Sequence, residues 1–130
     1  RGLMEIGLSG NKLESVHPNT FQDLKNLTTL SFASNRLSLI DLDTFKGLRH
    51  LKSLNLAGNT LQVLQPQLFS ELESLEELNL MRNQITHIYP EIFEKLGQLK
   101  SLHLSGNQLH RFHPGTFKAL KNLESLSLYE

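Results

Sequence analysis

Apolar residues recur along this chain with a period of 24 residues, and polar residues fill most positions between them. The repeating unit reads L-x-x-L-x-L-x-x-N-x-L-x-x-L-x-x-x-x-F-x-x-L-x-x. Five complete units, at residues 3–26, 27–50, 51–74, 75–98 and 99–122, precede a partial sixth at residues 123–130. A fixed period of this length is the sequence signature of a repeat array. The pattern therefore predicts one domain over residues 1–130, without a linker or an insertion.

The motif L-x-L in each unit predicts a short β-strand. Its apolar residues alternate with polar ones, so they share the face of the strand that meets the core. One such strand cannot bury its leucines alone, whereas identical units stacked side by side form a parallel sheet over a continuous core. The segment Phe-x-x-Leu-x-x-Leu has helical spacing but covers only about two turns, so we expect 3₁₀ or irregular turns on the opposite side.

Two further positions hold the same residue in all five complete units. Asparagine can both donate and accept hydrogen bonds, so a stacked ladder of asparagines would satisfy backbone groups in the turns after the strands. Phenylalanine is large enough to fill the far side of the core, which predicts a spine of rings. The ladder comprises Asn11, Asn35, Asn59, Asn83 and Asn107, and the spine comprises Phe21, Phe45, Phe69, Phe93 and Phe117.

This repeat resembles that of the extracellular leucine-rich repeat family, which includes Toll-like receptor ectodomains and Slit-type proteins. The resemblance covers essentially the whole chain. It implies fold class α/β: a right-handed leucine-rich-repeat solenoid with a parallel β-sheet on the concave face and a 3₁₀ or irregular convex side. It also implies an extracellular location, in a secreted protein or the ectodomain of a membrane protein, and a receptor role in immunity or cell adhesion.

The resemblance raises two expectations about the parent protein. Full-length members of the family usually have cysteine-containing caps, whereas this chain has no cysteine, so we expect it to be an uncapped segment of a longer protein. The triplet that begins at Asn26, Asn-Leu-Thr, is the one match to the N-glycosylation pattern. Asn26 is therefore the candidate glycosylation site of an expected glycoprotein.

Composition and motifs limit the function classes. Thirteen basic and 13 acidic residues give a net charge of +0, which does not favour a nucleic-acid or membrane partner. No apolar stretch reaches the roughly 18 residues that a membrane span needs. The nucleotide-binding, hydrolase and zinc-protease motifs that we sought are absent from the sequence. We therefore expect no enzyme, no cofactor and no membrane insertion in this segment.

The polar positions on the strands, and in the turns after them, are predicted to line the concave face. Most hold small residues, but repeat 4 has Met81-Arg82 where repeats 1, 3 and 5 have a small residue followed by glycine. Aromatic residues, methionine and arginine are enriched at protein interfaces, although ordinary variation at a solvated position is the alternative. The predicted ligand-binding residues are Glu77, Asn79, Met81, Arg82, His103 and Tyr129.

Repeat 5 concentrates basic residues and suggests a second kind of partner. It contains Lys100, Arg111, Lys118 and Lys121 but no acidic residue. An anionic partner such as a sulfated glycan is one interpretation. We favour attraction between neighbouring repeats of opposite sign, because these cations are spread around the coil rather than along one groove.

Histidines in repeats 4 and 5 have a spacing that could hold a transition metal. His110 and His113 are three residues apart, and His87 and Tyr89 lie one repeat earlier on the same predicted flank. No carboxylate or thiolate completes an obvious ligand set. We therefore interpret these histidines as solvated and predict no metal site.

Two function hypotheses follow from the sequence. The first is a non-enzymatic module that binds a protein ligand on its concave face. The second is a structural segment that self-associates, because an uncapped array exposes a cross-section of its core and unpaired strand edges. Leu126 and Leu128 are predicted to be exposed in this way.

Overall fold

The computed structural model describes residues 4–110 and 112–129. Leu3, which opens the first repeat, Arg111 in the basic repeat 5, and Glu130 at the end of the sixth lie outside the described residues.

Six short parallel strands form one sheet, in the same order as they occur in the chain. Each pair of neighbours is in a register of 24 residues, for example Leu54 beside Leu78. The strands thus stack as successive turns of a solenoid, which confirms the predicted fold. The strands are β1 (Glu5–Gly7), β2 (Thr29–Ser31), β3 (Ser53–Asn55), β4 (Glu77–Asn79), β5 (Ser101–His103) and β6 (Ser125–Ser127).

Backbone pairing continues past the end of each three-residue strand. The amide of Leu80 donates to the carbonyl of His103 at 2.9 Å, and the amide of Arg82 donates to the carbonyl of Ser105 at 2.9 Å. The residues between these leucines and the turns are therefore held in the sheet register. These hydrogen bonds hold in place the backbone of the residues after β4, which include candidate ligand-binding residues.

The core lies behind the sheet and runs along its whole width. The central residue of each inner strand is fully buried, as Leu30, Leu54, Leu78 and Leu102 show, while its two neighbours remain partly or fully exposed. This alternation is the one that the L-x-L motif predicts. The side chains of repeats 2 to 5 therefore form one continuous apolar cluster.

The side opposite the sheet consists of turns and irregular segments. Among the described residues, the one helix is a 3₁₀ helix at Pro90–Phe93, with the proline in its first turn. Proline suits that place because its missing N–H would have had no partner in the helix. Short turns rather than long helices confirm the expectation for this side.

The repeated asparagines join neighbouring repeats through their side chains. The amide nitrogen of Asn59 donates to the carbonyl oxygens of Leu56 at 3.0 Å and of Phe32, in the preceding repeat, at 3.1 Å. Its oxygen accepts from the amide of Leu37 at 3.0 Å. Asn35, Asn83 and Asn107 make the equivalent bonds, whereas Asn11 is exposed and donates to the carbonyls of its own repeat.

The repeated phenylalanines pack on the opposite side of the core. Phe45 and Phe69 stack with ring centres 6.2 Å apart, and Phe93 and Phe117 stack at 6.0 Å. Phe21 is also buried, whereas Phe117 is only partly buried. The rings therefore close the core between repeats 2 and 3 and again between repeats 4 and 5.

Candidate functional site

The face of the sheet that points away from the core, here called the sheet face, has larger side chains toward one end. At the first strands it holds glycine, serine, threonine and alanine with one glutamate, whereas around β4 to β6 it holds charged, thioether and aromatic groups. The candidate residues lie at the two ends of β4 (Glu77 and Asn79), at the end of β5 (His103), and after β4 and β6 (Met81, Arg82 and Tyr129).

Glu77 and His103 lie side by side on adjacent strands. A carboxylate oxygen of Glu77 is 3.9 Å from Nε2 of His103. Ser53 donates to the other oxygen of Glu77 at 3.4 Å, and the hydroxyl of Ser127 lies 3.4 Å from Nδ1 of His103. These four side chains form a loose polar row across β3 to β6. Because the contacts are long, a ligand can exchange with them at small cost.

Asn79 has a structural contact that the sequence does not reveal. Its side-chain oxygen accepts a hydrogen bond from the amide of Met81 at 3.0 Å. Asn55 makes the same bond to Ala57, also at 3.0 Å, one repeat earlier. This oxygen therefore supports the backbone that carries Met81, and the amide nitrogen is the part of Asn79 that remains for a ligand.

Arg82 has a left-handed backbone conformation, with φ of 55°. The same position is glycine in repeats 1, 3 and 5, with φ of 72°, 71° and 77° at Gly10, Gly58 and Gly106. Ser34 of repeat 2, with φ of 60°, is the other exception. A side chain in this conformation costs roughly 1–2 kcal/mol, which is why glycine is the usual residue.

The stem of Arg82 lies across Gly106 of the next repeat. A Cβ atom on Gly106 would come within 3.2 Å of both Cγ and the backbone nitrogen of Arg82. Such a distance is too short for a rigid neighbour to accept without moving. Gly106 is therefore needed for two reasons: its own positive φ, and the space that it leaves for Arg82.

A cavity of about 260 Å³ opens beside this contact. It is lined by Met81, Arg82, Ser105, Gly106 and Tyr129, and is here called the Arg82 cavity. Met81 is partly buried, whereas Tyr129 is 77 % exposed and forms a projecting wall. The structure thus brings three of the predicted residues together, and adds Ser105 and Gly106, small residues of the concave face that the sequence did not single out.

Ser105 is the unusual member of this group. Its side chain is only 6 % exposed, and its hydroxyl has no hydrogen-bond partner among the described residues. A buried hydroxyl without a partner costs about 1–3 kcal/mol. The equivalent positions in repeats 2 and 3 hold Ala33 and Ala57, so the fold does not need a hydroxyl at this position.

The candidate glycosylation site lies on the flank where the chain enters the sheet. Asn26 is exposed and lines a cavity of about 470 Å³ together with His50 and Lys52. The hydroxyl of Thr28, the third residue of the glycosylation triplet, donates to the carbonyl of Met4 at 3.0 Å. Asn26 is therefore accessible in the folded chain, and its glycosylation stays a prediction.

Two of the three histidines considered as metal ligands, His87 and His113, have other contacts. Nδ1 of His113 accepts from the amide of Gly115 at 3.1 Å, and Nδ1 of His87 contacts the hydroxyl of Thr86 at 3.1 Å. Over residues 4–110 and 112–129, no group of three histidine or carboxylate side chains is placed to hold a metal ion. Within the same residues, no helix is long and apolar enough to cross a membrane.

Comparison with known proteins identifies the repeat. A family model described as leucine rich repeat matches four overlapping stretches, residues 1–61, 26–85, 49–109 and 74–130. The chain belongs to the leucine-rich repeat family. A comparison with curated proteins found no match.

Solved structures of leucine-rich repeat proteins superpose closely on this chain. The TLR13 chain in a TLR13–ssRNA13 complex is 36 % identical, with a TM-score of 0.93 over 98 % of this chain. The structure of the Drosophila Toll–Spatzle complex gives 24 % identity and a TM-score of 0.89 over 97 % of this chain, a likeness that shows the fold. This chain spans 18 % and 20 % of those chains, respectively. The predicted resemblance to the Toll-like receptor kind of repeat is confirmed.

Proposed function

We propose that this chain is a non-enzymatic protein-binding module that holds a protein ligand on the concave face of its sheet. The observation that carries the proposal is the Arg82 cavity, whose lining combines a buried hydroxyl without a partner and an exposed aromatic ring. Arginine and aromatic residues of this kind dominate the binding energy of protein interfaces. The predicted ligand contacts are Glu77, Asn79, Met81, Arg82, His103 and Tyr129.

Two comparisons support a ligand-binding role, with an RNA ligand in one neighbour and Spatzle in the other, and they support the location. The TLR13 structure contains ssRNA13, and the Toll structure contains Spatzle, so both neighbours are ligand-bound leucine-rich repeat proteins. By analogy, we place this chain in a receptor or matrix protein, outside the cell, where glycosylation at Asn26 fits. The sheet face is open and shallow, and catalysis requires a site that excludes water.

Selection from a random-peptide display library tests the proposal. The chain is immobilised through its N-terminus, and enriched peptides are measured against a variant that combines Met81→Ala, Arg82→Gln and Tyr129→Ser. We expect the peptides to lose at least about tenfold in affinity, which corresponds to roughly 1.4 kcal/mol. A matched control changes exposed residues at the other end of the sheet face, Glu5→Gln and Ser9→Ala. Peptides that lose affinity only with the control variant would place the ligand surface elsewhere.

A second candidate function is self-association through the last strand. Leu126 and Leu128 are 38 % and 40 % exposed, although the equivalent apolar residues of repeats 2 to 5 are buried. Exposed leucines beside an unpaired strand edge favour pairing with another chain. Sedimentation of the 130-residue chain over a dilution series tests this, because association should weaken with Leu126→Lys and Leu128→Lys. A monomer at every concentration would remove the second function and leave the first untouched.

A further inference from the structure

Two polar side chains of the Arg82 cavity that remain without a partner in the described chain can both act as hydrogen-bond donors. The backbone amide of Gly106 donates to the carbonyl of Tyr129 at 2.7 Å, and the amide of Arg82 donates to the carbonyl of Ser105 at 2.9 Å. These backbone groups are therefore already paired. The groups with unused capacity are the guanidinium of Arg82, which has only donors, and the hydroxyl of Ser105. An acceptor is the kind of ligand group that can use both the guanidinium and the hydroxyl.

Arg82 has no carboxylate partner in the described part of the chain. Ion pairs there join Arg49 to Glu71 and Glu73, and the ring of His103 lies beside the carboxylate of Glu77. Glu77 is thus held by His103 and Ser53 on the sheet face. Among residues 4–110 and 112–129 no carboxylate pairs with the guanidinium, and arginine binds carboxylates through two parallel N–H donors.

Ser105 is an independent sign of a ligand. In repeat 1, the serine at the same position has a partner, since the hydroxyls of Ser9 and Ser31 lie 2.7 Å apart. In repeats 2 and 3 the position is alanine and needs none. At this position of the four repeats, Ser105 alone has a buried hydroxyl without a partner in the described chain, and of the three such hydroxyls there (Thr44, Ser105 and Thr116) it is the one that belongs to a residue lining this cavity. A bound acceptor would supply that partner.

The volume of the Arg82 cavity and the residues that line it indicate the size of the ligand group that it can hold. About 260 Å³ lies below the roughly 300–1,000 Å³ of sites that enclose a whole small molecule. It suits one extended side chain with a polar end. Met81 and Tyr129 supply apolar contact along that side chain, and Arg82 and Ser105 supply the donors for its end.

We propose that the Arg82 cavity binds the carboxylate of a glutamate or aspartate side chain in an extended segment of the protein partner. This inference rests on the proposed function, and names the chemistry that the partner must present. The carboxylate accepts from the guanidinium of Arg82, and from the hydroxyl of Ser105 after rotation about χ1 brings this buried hydroxyl to the cavity surface. The aliphatic part of the acidic side chain lies between Met81 and the ring of Tyr129.

Charge favours a peptide carboxylate over the phosphates of a nucleic acid. Binding a phosphate backbone needs several cations along a groove, together with stacking platforms for the bases. The cavity offers the guanidinium of Arg82 and the ring of Tyr129, and the net charge of the chain is +0. A single carboxylate matches a single guanidinium.

The experiment compares two isosteric peptides on the full 130-residue chain. The ¹⁵N-labelled chain is titrated with acetyl-Leu-Glu-Leu-amide and with acetyl-Leu-Gln-Leu-amide, and the amide signals of Ser105 and Gly106 and the Nε–H signal of Arg82 are followed. We expect the glutamate peptide to shift these signals and to bind about tenfold more tightly, as for a charge-assisted pair. Pentauridylate is the third ligand. Equal binding of the two peptides, or tighter binding of pentauridylate at this cavity, overturns the proposal.

Two variants separate the contributions of the two donors. Arg82→Gln keeps the length of the side chain and removes its charge, so the preference for the glutamate peptide should disappear. Ser105→Ala introduces the residue that repeats 2 and 3 have at the equivalent positions, Ala33 and Ala57, so the fold should be retained. The glutamate peptide should bind this variant about threefold to tenfold more weakly. Ser9→Ala is the matched control and should leave the affinity of both peptides unchanged. An unchanged affinity with Ser105→Ala excludes the hydroxyl from the site.

The outcomes also separate this inference from the proposed function. Display peptides that lack acidic residues, yet lose affinity when Met81, Arg82 and Tyr129 are changed, would retain the protein-binding face and exclude the carboxylate. If the affinity of the display peptides does not change in that variant, the proposed binding face itself is wrong.

Discussion

The Cγ atom of Arg82 lies 3.2 Å from the point that a Cβ atom on Gly106 would occupy. A side chain in repeat 4 thus lies over a glycine in repeat 5. The same relationship holds between Ser34 and Gly58, where an added Cβ would lie 3.3 Å from the backbone nitrogen of Ser34. At this position of repeats 1 to 5, glycine alternates with a larger residue, since two adjacent side chains would crowd each other.

Gly106→Ala should therefore destabilise the chain by more than the backbone strain alone. Strain at positive φ is about 1–2 kcal/mol, and the contact with Arg82 adds to it. Gly10→Ala is the control, because Gly10 has a φ of 72° but no atom within 4 Å of an added Cβ. Urea denaturation measures both changes in the free energy of unfolding. If Gly106→Ala costs no more than Gly10→Ala, the stem of Arg82 does not constrain its neighbour.

Asn59→Ala should lower the free energy of unfolding by about 1–3 kcal/mol, because it leaves buried backbone groups without partners. The amide of Leu37 and the carbonyl of Phe32 would lose their bonds to the side chain. Asn11→Ala is the matched control, and should cost less because Asn11 is exposed and donates within its own repeat. Equal losses for the two variants would show that the bonds between repeats contribute little.

The sheet could be predicted from the sequence because its determinants are local and repeated. Leu54 and Leu78 are 24 residues apart, and stand in register on neighbouring strands. Once the period is recognised, every strand and its register follow from the position of the leucines in the unit. The short, irregular far side follows as well, since two turns of helical spacing do not make a stable helix.

The Arg82 cavity could be predicted only in part. Met81, Arg82 and Tyr129 differ from the small residues of other repeats, and that difference is visible in the sequence. Ser105 and Gly106 repeat the Ser-Gly pair of repeat 1 and give no such signal. Their role depends on which side chain lies across them from the preceding repeat. Sequence periodicity aligns positions but does not report such contacts between unlike residues.

Thr116→Val should leave stability unchanged or raise it by up to about 1 kcal/mol. Thr116 is 1 % exposed, and its hydroxyl has no partner among the described residues. Valine has the same shape as threonine but lacks the hydroxyl, so the variant no longer buries a polar group without a partner. Thr20→Val is the control, because the hydroxyl of Thr20 donates to the carbonyl of His17 at 2.8 Å, and it should cost about 0.5–1.5 kcal/mol. A loss at Thr116 as large as that at Thr20 would reveal an ordered water bound to the Thr116 hydroxyl.

Arg82→Gly should separate stability from binding. Glycine removes the strain of φ at 55°, which is about 1–2 kcal/mol, while its greater freedom in the unfolded chain costs about 0.4–1 kcal/mol. The free energy of unfolding should therefore stay the same or rise by up to about 1.6 kcal/mol. Ser34→Gly, at φ of 60° in repeat 2, should give a similar change, since Ser34 has the same backbone conformation.

The two variants should differ in binding, since only Arg82 lines the cavity with Met81 and Tyr129. A strained residue that the fold does not need is often retained for function. We expect Arg82→Gly to abolish the preference for acetyl-Leu-Glu-Leu-amide over its glutamine counterpart, and Ser34→Gly to preserve it. Denaturation and peptide titration on the same two variants measure both quantities. If Arg82→Gly lowered stability by more than about 1 kcal/mol, the arginine would be retained for its packing on Gly106, and the strain would carry no functional meaning.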